Sequence, residues 1–219
     1  MKEDPRVPVL EDPDVESGRV ALSNVRWSTY EALLADTRQA SGTRIFFDRG
    51  ELEIVTPSPL HERIGHLLGR FIDSVSLEKG IPVRGQGATT WRRRDLGRGF
   101  EADLCYYVGH EISVRGKDAI DLARDPPPDL IVEIDISRSS EGRRSMYAAF
   151  GIPELWHNDG ERTEFRVLGE NGYTTTERSL AFPFLLSSDI DRFLARRNTT
   201  DETTLLAEFR DWVRALPAE

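Results

Sequence analysis

Two acidic side chains interrupt an apolar run near the middle of the chain, in the segment DLIVEIDI. Such a run is typical of a strand that is covered on both faces. Because successive side chains of a strand point to opposite faces, Glu133 and Asp135 would share one face, with their Cα atoms about 6.5 Å apart. Burial of neighbouring carboxylates is costly and raises both pKa values. We therefore expect a positive charge beside them.

A second acidic segment, EADLCYYV, precedes this one. As one continuous strand, it places Glu101, Asp103 and Cys105 on the same face. If the two strands pair with their acidic faces aligned, up to four carboxylates converge, and oxygen-rich clusters of this kind suit Mg²⁺ or Mn²⁺. The alternative is that Glu101 and Asp103 lie on a solvated face. A solvated face fits Glu133 less well, because its neighbours on both sides are aliphatic.

The charge balance limits how the protein could bind nucleic acid. The sequence has 29 lysines and arginines against 38 aspartates and glutamates, a formal net charge of −9. Proteins that bind nucleic acid by neutralising phosphates usually carry the opposite sign, so binding would need bound cations or a local basic patch. Short groups of arginines that could form such a patch are Arg92–Arg94 with Arg98, and Arg138 with Arg143 and Arg144. The alternative is that these arginines are solvated surface residues.

Length and composition narrow the class of protein. At 219 residues the chain is most simply one domain. Its apolar runs are shorter than the ~18–20 residues that a membrane helix requires, and its first twenty residues lack the apolar stretch of a signal peptide. The single cysteine, Cys105, excludes an intramolecular disulfide. We therefore expect a cytoplasmic protein without a membrane partner.

Capping and turn residues mark the elements ahead of the acidic strands. Ser28 can cap a helix that runs to about Ala40, and Asp48-Arg49-Gly50 has the turn chemistry of a hairpin. Ser58 can cap a second helix, whose apolar residues recur at helical spacing until Gly80. An N-terminal hairpin between two helices is therefore predicted.

The remaining elements complete a mixed α/β domain around one central sheet. Further helices are predicted over residues 140–150, 190–196 and 202–216, and further strands over 154–157, 164–168 and 173–176. Residues 1–22 are acidic and contain prolines, so we expect a flexible arm there. A single domain would follow over residues 23–219.

Five segments follow one another along most of the chain in an order typical of one protein family. They are TPSPLHERIGHLLGRFI, EADLCYYV, DPPPDLIVEIDISRSS, YAAFGIPELW and ERSLAFPFL. This order resembles the Uma-type family of restriction-endonuclease-like proteins, in the PD-(D/E)xK nuclease superfamily. The resemblance implies a restriction endonuclease-like core, with a mixed sheet of four or five strands flanked by helices. It also implies Mg²⁺- or Mn²⁺-dependent hydrolysis of phosphodiester bonds in DNA.

The resemblance also implies roles for individual residues. Asp103 matches the first metal-binding aspartate, and Glu133 matches the second acid. Glu62 falls where some relatives place a further acid, which can reach a metal through water. The superfamily pattern has a lysine two residues after the second acid, but this chain has Asp135 there. Relatives of this type move the lysine to the following helix, where this chain has Arg143.

These two departures from the family pattern change the expected chemistry. An arginine has a pKa above ~12 and cannot serve as a general base. Arg143 could still hold the attacking water or neutralise charge on the phosphate, so that the metal activates the water. Asp135 could be an extra metal ligand or a partner of Arg143.

Two other functions fit the same residues. One is a catalytically inactive nuclease-fold module that binds nucleic acid or dimerises, with the apolar face of the last helix as the dimer surface. The other is a metal-dependent hydrolase of a substrate other than nucleic acid, which the net charge favours. Besides DNA, a second copy of the chain in a homodimer is therefore an expected partner.

The segment HERIGH is close to the H-E-x-x-H zinc motif, but it has one residue too many between its histidines. His61 and His66 therefore do not share a helix face, and a zinc site is not expected. His61 could instead approach the acidic cluster from the start of its helix, or it could lie at the surface.

Overall fold

Eleven strands form two sheets within residues 18–37, 42–136 and 140–217, which are the residues that the computed structural model describes. The first sheet consists of β1 (Gly18–Leu22), β2 (Arg44–Asp48), β3 (Glu51–Thr56), β5 (Thr90–Arg93) and β6 (Arg98–Glu101). The second sheet consists of β4 (Arg84–Gly85), β7 (Leu104–Tyr107), β8 (Leu130–Ile134), β9 (Glu154–Asn158), β10 (Thr163–Gly169) and β11 (Gly172–Thr176).

Six helices accompany these strands in the described part of the chain. They are α1 (Trp27–Asp36), α2 (Pro59–Lys79), α3 (Glu111–Val114), α4 (Arg144–Ala149), α5 (Ser187–Leu194) and α6 (Glu202–Ala215), and a 3₁₀ turn (Ser140–Arg143) leads into α4. In the described ranges, no helix is both long enough and apolar enough to cross a membrane.

The second sheet is mixed, and the first is antiparallel. Their strand orders are β11-β10-β9-β8-β7-β4 and β1-β3-β2-β6-β5. The parallel pair is β8 with β9, and the chain makes the crossover between them through α4. The mixed sheet with its flanking helices confirms the predicted fold class.

Helix α2 has the ends that its sequence predicts. The Ser58 hydroxyl oxygen accepts a hydrogen bond from the His61 backbone N–H at 3.2 Å, and Gly80 ends the helix with a φ of 65°. The apolar face of α2, which includes Leu67 and Leu68, belongs to the larger hydrophobic core. This anchoring fixes His61 at the N-terminal end of the helix.

Strand β8 is buried on both faces, as its apolar run predicts. Leu130 and Val132 lie in the larger core with α2, whereas Ile131 lies in a second core with Tyr147 and Phe46. Glu133 is therefore on the face of β8 that also carries Ile131.

The predicted strand over residues 101–108 is interrupted. Glu101 ends β6 in the first sheet, whereas Leu104 begins β7 in the second. Between them, the Asp103 side chain accepts a hydrogen bond from the Ile134 backbone N–H at 2.8 Å. The single central sheet of the sequence prediction is therefore two sheets, because side-chain alternation does not reveal which sheet a strand joins.

Some predicted boundaries also differ from the observed ones. Residues 18–22, which composition assigns to the arm, pair with β3 as strand β1. Residues 1–17 and Arg138 lie outside the described residues. The helix predicted over residues 140–150 begins as a 3₁₀ turn and becomes α-helical only at Arg144.

The apolar face of α6 is covered within the chain. Leu205, Phe209 and Val213 are almost fully buried, and the Phe209 ring stacks on Phe71 of α2 with ring centroids 4.3 Å apart. The hypothesis that this face forms a dimer surface is therefore wrong, since its side chains already belong to the larger core. The homodimer itself stays a prediction.

Gly99 of β6 lets Tyr30 of α1 pack directly on the backbone of the first sheet. A Cβ atom at position 99 would lie 2.7 Å from Tyr30 Cζ, and Tyr30 is fully buried. We therefore expect Gly99→Ala to destabilise the protein by about 1–3 kcal/mol, measured as a lower Tm in thermal unfolding. Gly169→Ala is the control, because a Cβ there meets no atom closer than 3.7 Å. Equal Tm values for the two variants would contradict this expectation.

Candidate active site

The pairing of β7 with β8 brings the two predicted metal-binding acids together. Leu104, the first residue of β7, lies opposite Val132, and Asp103 precedes it just outside the strand. The Asp103 side chain accepts a hydrogen bond from the Ile134 N–H and its charge acts on Glu133, so the two acids are neighbours. Both acids are buried, with 9% of Asp103 and 2% of Glu133 exposed.

Glu133 has the less favourable surroundings of the two acids. Its Oε2 atom lies 3.5 Å from Arg143 Nη1, and its Oε1 atom meets no donor in hydrogen-bond geometry among the described residues. The Tyr147 hydroxyl is the nearby group that can donate to this carboxyl. Burial and, second, the charge of Asp103 raise the pKa of Glu133 to about 8, against the opposing effects of Arg143 and of the Tyr147 hydroxyl. Burial and the Glu133 charge also raise the pKa of the nearby Tyr147. A further positive charge would therefore stabilise the ionised form of Glu133.

Arg143 lies beside Glu133, and it also contacts two residues, Glu53 and Phe46, that the sequence did not indicate. Its Nη2 atom donates a hydrogen bond to Glu53 Oε1 at 2.7 Å, and its Nε atom donates one to Glu53 Oε2 at 3.4 Å. The guanidinium carbon lies 3.8 Å from the centroid of the Phe46 ring. Glu53 of β3 and Phe46 of β2 thus hold Arg143 in one orientation, and Glu53 also pairs with Arg19 at 2.8 Å.

Asp103 has partners from three other elements. Its Oδ2 atom accepts from the Ile134 N–H and lies 3.1 Å from His61 Nε2, while its Oδ1 atom lies 3.5 Å from Arg44 Nε. His61 is 8% exposed, so it approaches the acids from the start of α2 rather than lying at the surface. Among the described residues, the partner of Oδ1 is Arg44, whose Nε atom lies close to it without forming a hydrogen bond.

Glu101 and Glu62 gather around Arg44 instead of Glu133. Arg44 Nη1 lies 3.8 Å from Glu101 Oε1, and Arg44 Nη2 lies 3.6 Å from Glu62 Oε1. The Glu101 side chain is 17% exposed, and its burial raises its pKa, against the charge of Arg44. The Glu62 side chain is 56% exposed. Glu101 and Glu62 therefore form a group around Arg44, and Asp103 connects this group to Glu133 because it contacts Arg44 as well.

Asp135 lies one step beyond β8 and is 5% exposed. Its backbone N–H donates a hydrogen bond to the Asn158 carbonyl oxygen at 2.8 Å, and its Oδ2 atom lies 3.9 Å from His157 Nε2. Asp135, Asp103 and Arg143 line the same small cavity. The position that carries lysine in the superfamily therefore contributes a carboxylate to this cavity.

The cavity beside Asp103 has a volume of about 20 Å³, which is enough for one water-sized particle. No three aspartate, glutamate, histidine or cysteine side chains converge on one metal position within the described residues. Mg²⁺ does not need such a cage, because it is commonly held by one or two carboxylates together with waters and substrate phosphates. Asp103 and Asp135, which line this cavity, fit that manner of binding, and Glu133 lies close enough to Asp103 for their charges to interact.

Arg44, Glu53 and Phe46 were not found from the sequence. They lie in the strands RIFFD and ELEIVT, where charged side chains accompany apolar ones. That composition indicates half-buried strands. It does not identify the partners, since Glu53 meets Arg143 from 90 residues away in the chain.

The mixed sheet flanked by helices is that of a restriction-endonuclease-like fold, and the two buried acids lie just before β7 and within β8 of that sheet. The family model Uma2, described as "Putative restriction endonuclease", matches residues 27–190, about three quarters of the chain. The chain therefore belongs to the Uma2 family, which confirms the resemblance given by its five segments. No curated protein matches the chain.

Replacement of Glu133 tests whether its burial destabilises the metal-free protein. Because the pKa is raised from 4.5 to about 8 by folding, the folded state holds a proton that the unfolded chain releases, and stability falls as the pH rises through this interval. In EDTA, Glu133→Gln should therefore raise the Tm by at least about 2 °C more at pH 8 than at pH 5.

Glu161→Gln, at an exposed acid in the turn after β9, is the matched control for this measurement. Its effect on Tm should be the same at both pH values. If Glu133→Gln also changes the Tm equally at pH 5 and pH 8, burial does not perturb the carboxyl of Glu133.

Proposed function

We propose that this protein is an endonuclease that hydrolyses phosphodiester bonds of DNA with Mg²⁺ or Mn²⁺ as its cofactor. The observation that carries the proposal is the juxtaposition of two buried acids, Asp103 just before β7 and Glu133 in β8, whose like charges act on each other. A buried carboxylate of this kind is unfavourable until a cation completes its surroundings. At the level of the family, membership in Uma2 supports a nuclease-type hydrolase.

Asp103 and Glu133 would hold the ion, and waters and a substrate phosphate would take its other positions. Asp135 is a third candidate ligand because it lines the same cavity as Asp103. Glu101 and Glu62, which lie around Arg44, would act through water. When bound, the ion supplies Lewis-acid chemistry, which activates water as a nucleophile and stabilises negative charge on the phosphate.

Arg143 would supply fixed positive charge at the reacting phosphate. Its guanidinium is already held by Glu53 and stacked on Phe46, so it needs little reorganisation when charge develops in the transition state. An arginine keeps its proton, so Arg143 stabilises charge and does not act as a general base. His61 keeps the Asp103 carboxylate oriented through its contact with Oδ2.

The catalytically inactive nuclease-fold module is the second candidate function. It is favoured by the arginine at position 143, where the family resemblance implies a lysine. A hydrolase of another substrate is favoured by the net charge of −9. The cytoplasmic location and the homodimer stay predictions.

A cleavage assay on plasmid and single-stranded DNA distinguishes these functions. With Mg²⁺ or Mn²⁺ we expect cleavage that EDTA stops. Loss of an outer partner of a metal ligand typically costs 10–100-fold, so Asp103→Ala and Glu133→Ala, which remove ligands themselves, should each lower the rate at least about 100-fold. Glu170→Ala, at an exposed acid in the turn between β10 and β11, at the opposite end of the sheet from Glu133, should retain the wild-type rate.

Other outcomes of this assay would refute either the proposed catalytic acids or the nuclease itself. Cleavage that persists in both the Asp103 and Glu133 variants would exclude these acids from catalysis. Mn²⁺ binding without cleavage of either DNA would favour the hydrolase of another substrate. A protein that neither binds Mn²⁺ nor cleaves would be the inactive module.

Arg143→Ala should lower kcat by about 100-fold, because it removes a charge that acts on the transition state. Mn²⁺ affinity, measured without DNA, should change much less, since Arg143 is not a ligand. The kcat of Arg143→Lys should lie between those of the wild type and Arg143→Ala, because lysine retains the charge but loses the bidentate contact with Glu53. Equal losses of kcat and of Mn²⁺ affinity would remove Arg143 from the catalytic residues.

A further inference from the structure

Arg44 lines two cavities that also share Asp103. One is the cavity of about 20 Å³ described above, and the other has a volume of about 210 Å³. Arg44, His61 and Asp103 line both of them. The Arg44 side chain is 13% exposed, so a positive charge reaches from β2 into the acidic region with little contact with bulk water.

The contacts of Arg44 are loose in comparison with those of Arg143. Its guanidinium lies 3.5–3.8 Å from Asp103, Glu101 and Glu62, and its Nε atom is buried without a hydrogen-bond partner among the described residues. Arg143, in contrast, makes two hydrogen bonds to Glu53 and stacks on Phe46. Of these two buried guanidinium groups, Arg44 is thus the one whose donors are not committed.

We propose that Arg44 binds a phosphate of the substrate, a role that rests on the proposed nuclease function. A phosphate that approaches Asp103 also meets Glu101 and Glu62, and these carboxylates would repel it in the absence of a nearby cation. A guanidinium presents paired N–H donors that match phosphate oxygens. A cation at Asp103 would weaken the attraction between Asp103 and Arg44 and so free the guanidinium for the substrate.

Two binding measurements test this role without relying on turnover. The first is the affinity for a short DNA duplex in Ca²⁺, followed by fluorescence anisotropy over a range of salt concentrations. The second is the affinity for Mn²⁺ without DNA. Arg44→Gln should weaken duplex binding at least about tenfold and lower the salt slope by about 1, as expected for one lost phosphate contact. Its Mn²⁺ affinity should equal or exceed that of the wild type.

Arg210→Gln is the matched control, because it also removes one positive charge but from an ion pair with Glu78 near the C-terminal end of α2, at the opposite end of the helix from His61. It should leave the salt slope at the wild-type value. Arg44→Lys, which retains the charge, should bind the duplex with intermediate affinity and continues the test if Arg44→Gln does not fold.

Arg44 is not a phosphate ligand if Arg44→Gln and Arg210→Gln weaken duplex binding equally. It is also not one if Arg44→Gln lowers the affinities for Mn²⁺ and for DNA by the same factor, because Arg44 would then organise the carboxylates. In both cases wild-type cleavage would leave the nuclease intact. A wild-type protein that binds neither Mn²⁺ nor the duplex would overturn the nuclease itself, and the role of Arg44 with it.

Discussion

The burial of two carboxyl groups on paired strands is the constraint on which the rest of the site depends. Asp103, just before β7, and Glu133, in β8, are close enough for their charges to interact, and neither has access to enough water to be solvated as an ion. The chain offsets this cost with dipoles and cations. The Ile134 N–H and His61 act on Asp103, and Arg143 acts on Glu133.

This charge compensation links the two sheets. Both acids belong to the second sheet or its immediate extension, whereas Arg44, Phe46 and Glu53 come from β2 and β3 of the first. The chain passes from one sheet to the other between Glu101 and Leu104, so Asp103 lies at the junction. At such a junction, one sheet can supply the acids and the other an arginine that compensates them. A single strand could not do this as densely, because only every second residue of a strand points to a given face.

Much of the fold follows from local patterns. The cap at Ser58, the left-handed Gly80 and the apolar run of β8 each depend on a few neighbouring residues, and all three appear as predicted. The nearness of Asp103 to Glu133 also follows once the two acidic segments pair through their like faces. Alternation along EADLCYYV gave no sign of the interruption at residues 102–103, because a strand can change sheets without a change in its pattern.

The sequence by itself thus determined the helix ends, the buried strand and the acids that could bind a cation, because these depend on short-range periodicity and on residue type. Only the tertiary structure decided which cation meets which acid. The cation Arg143 and the acid Glu53 are 90 residues apart. The backbone N–H of Ile134, which donates to Asp103, is 31 residues from that acid. It also decided that the apolar face of α6 packs inside the chain. Contacts over such distances are set by the arrangement of the sheets and helices, which no local pattern encodes.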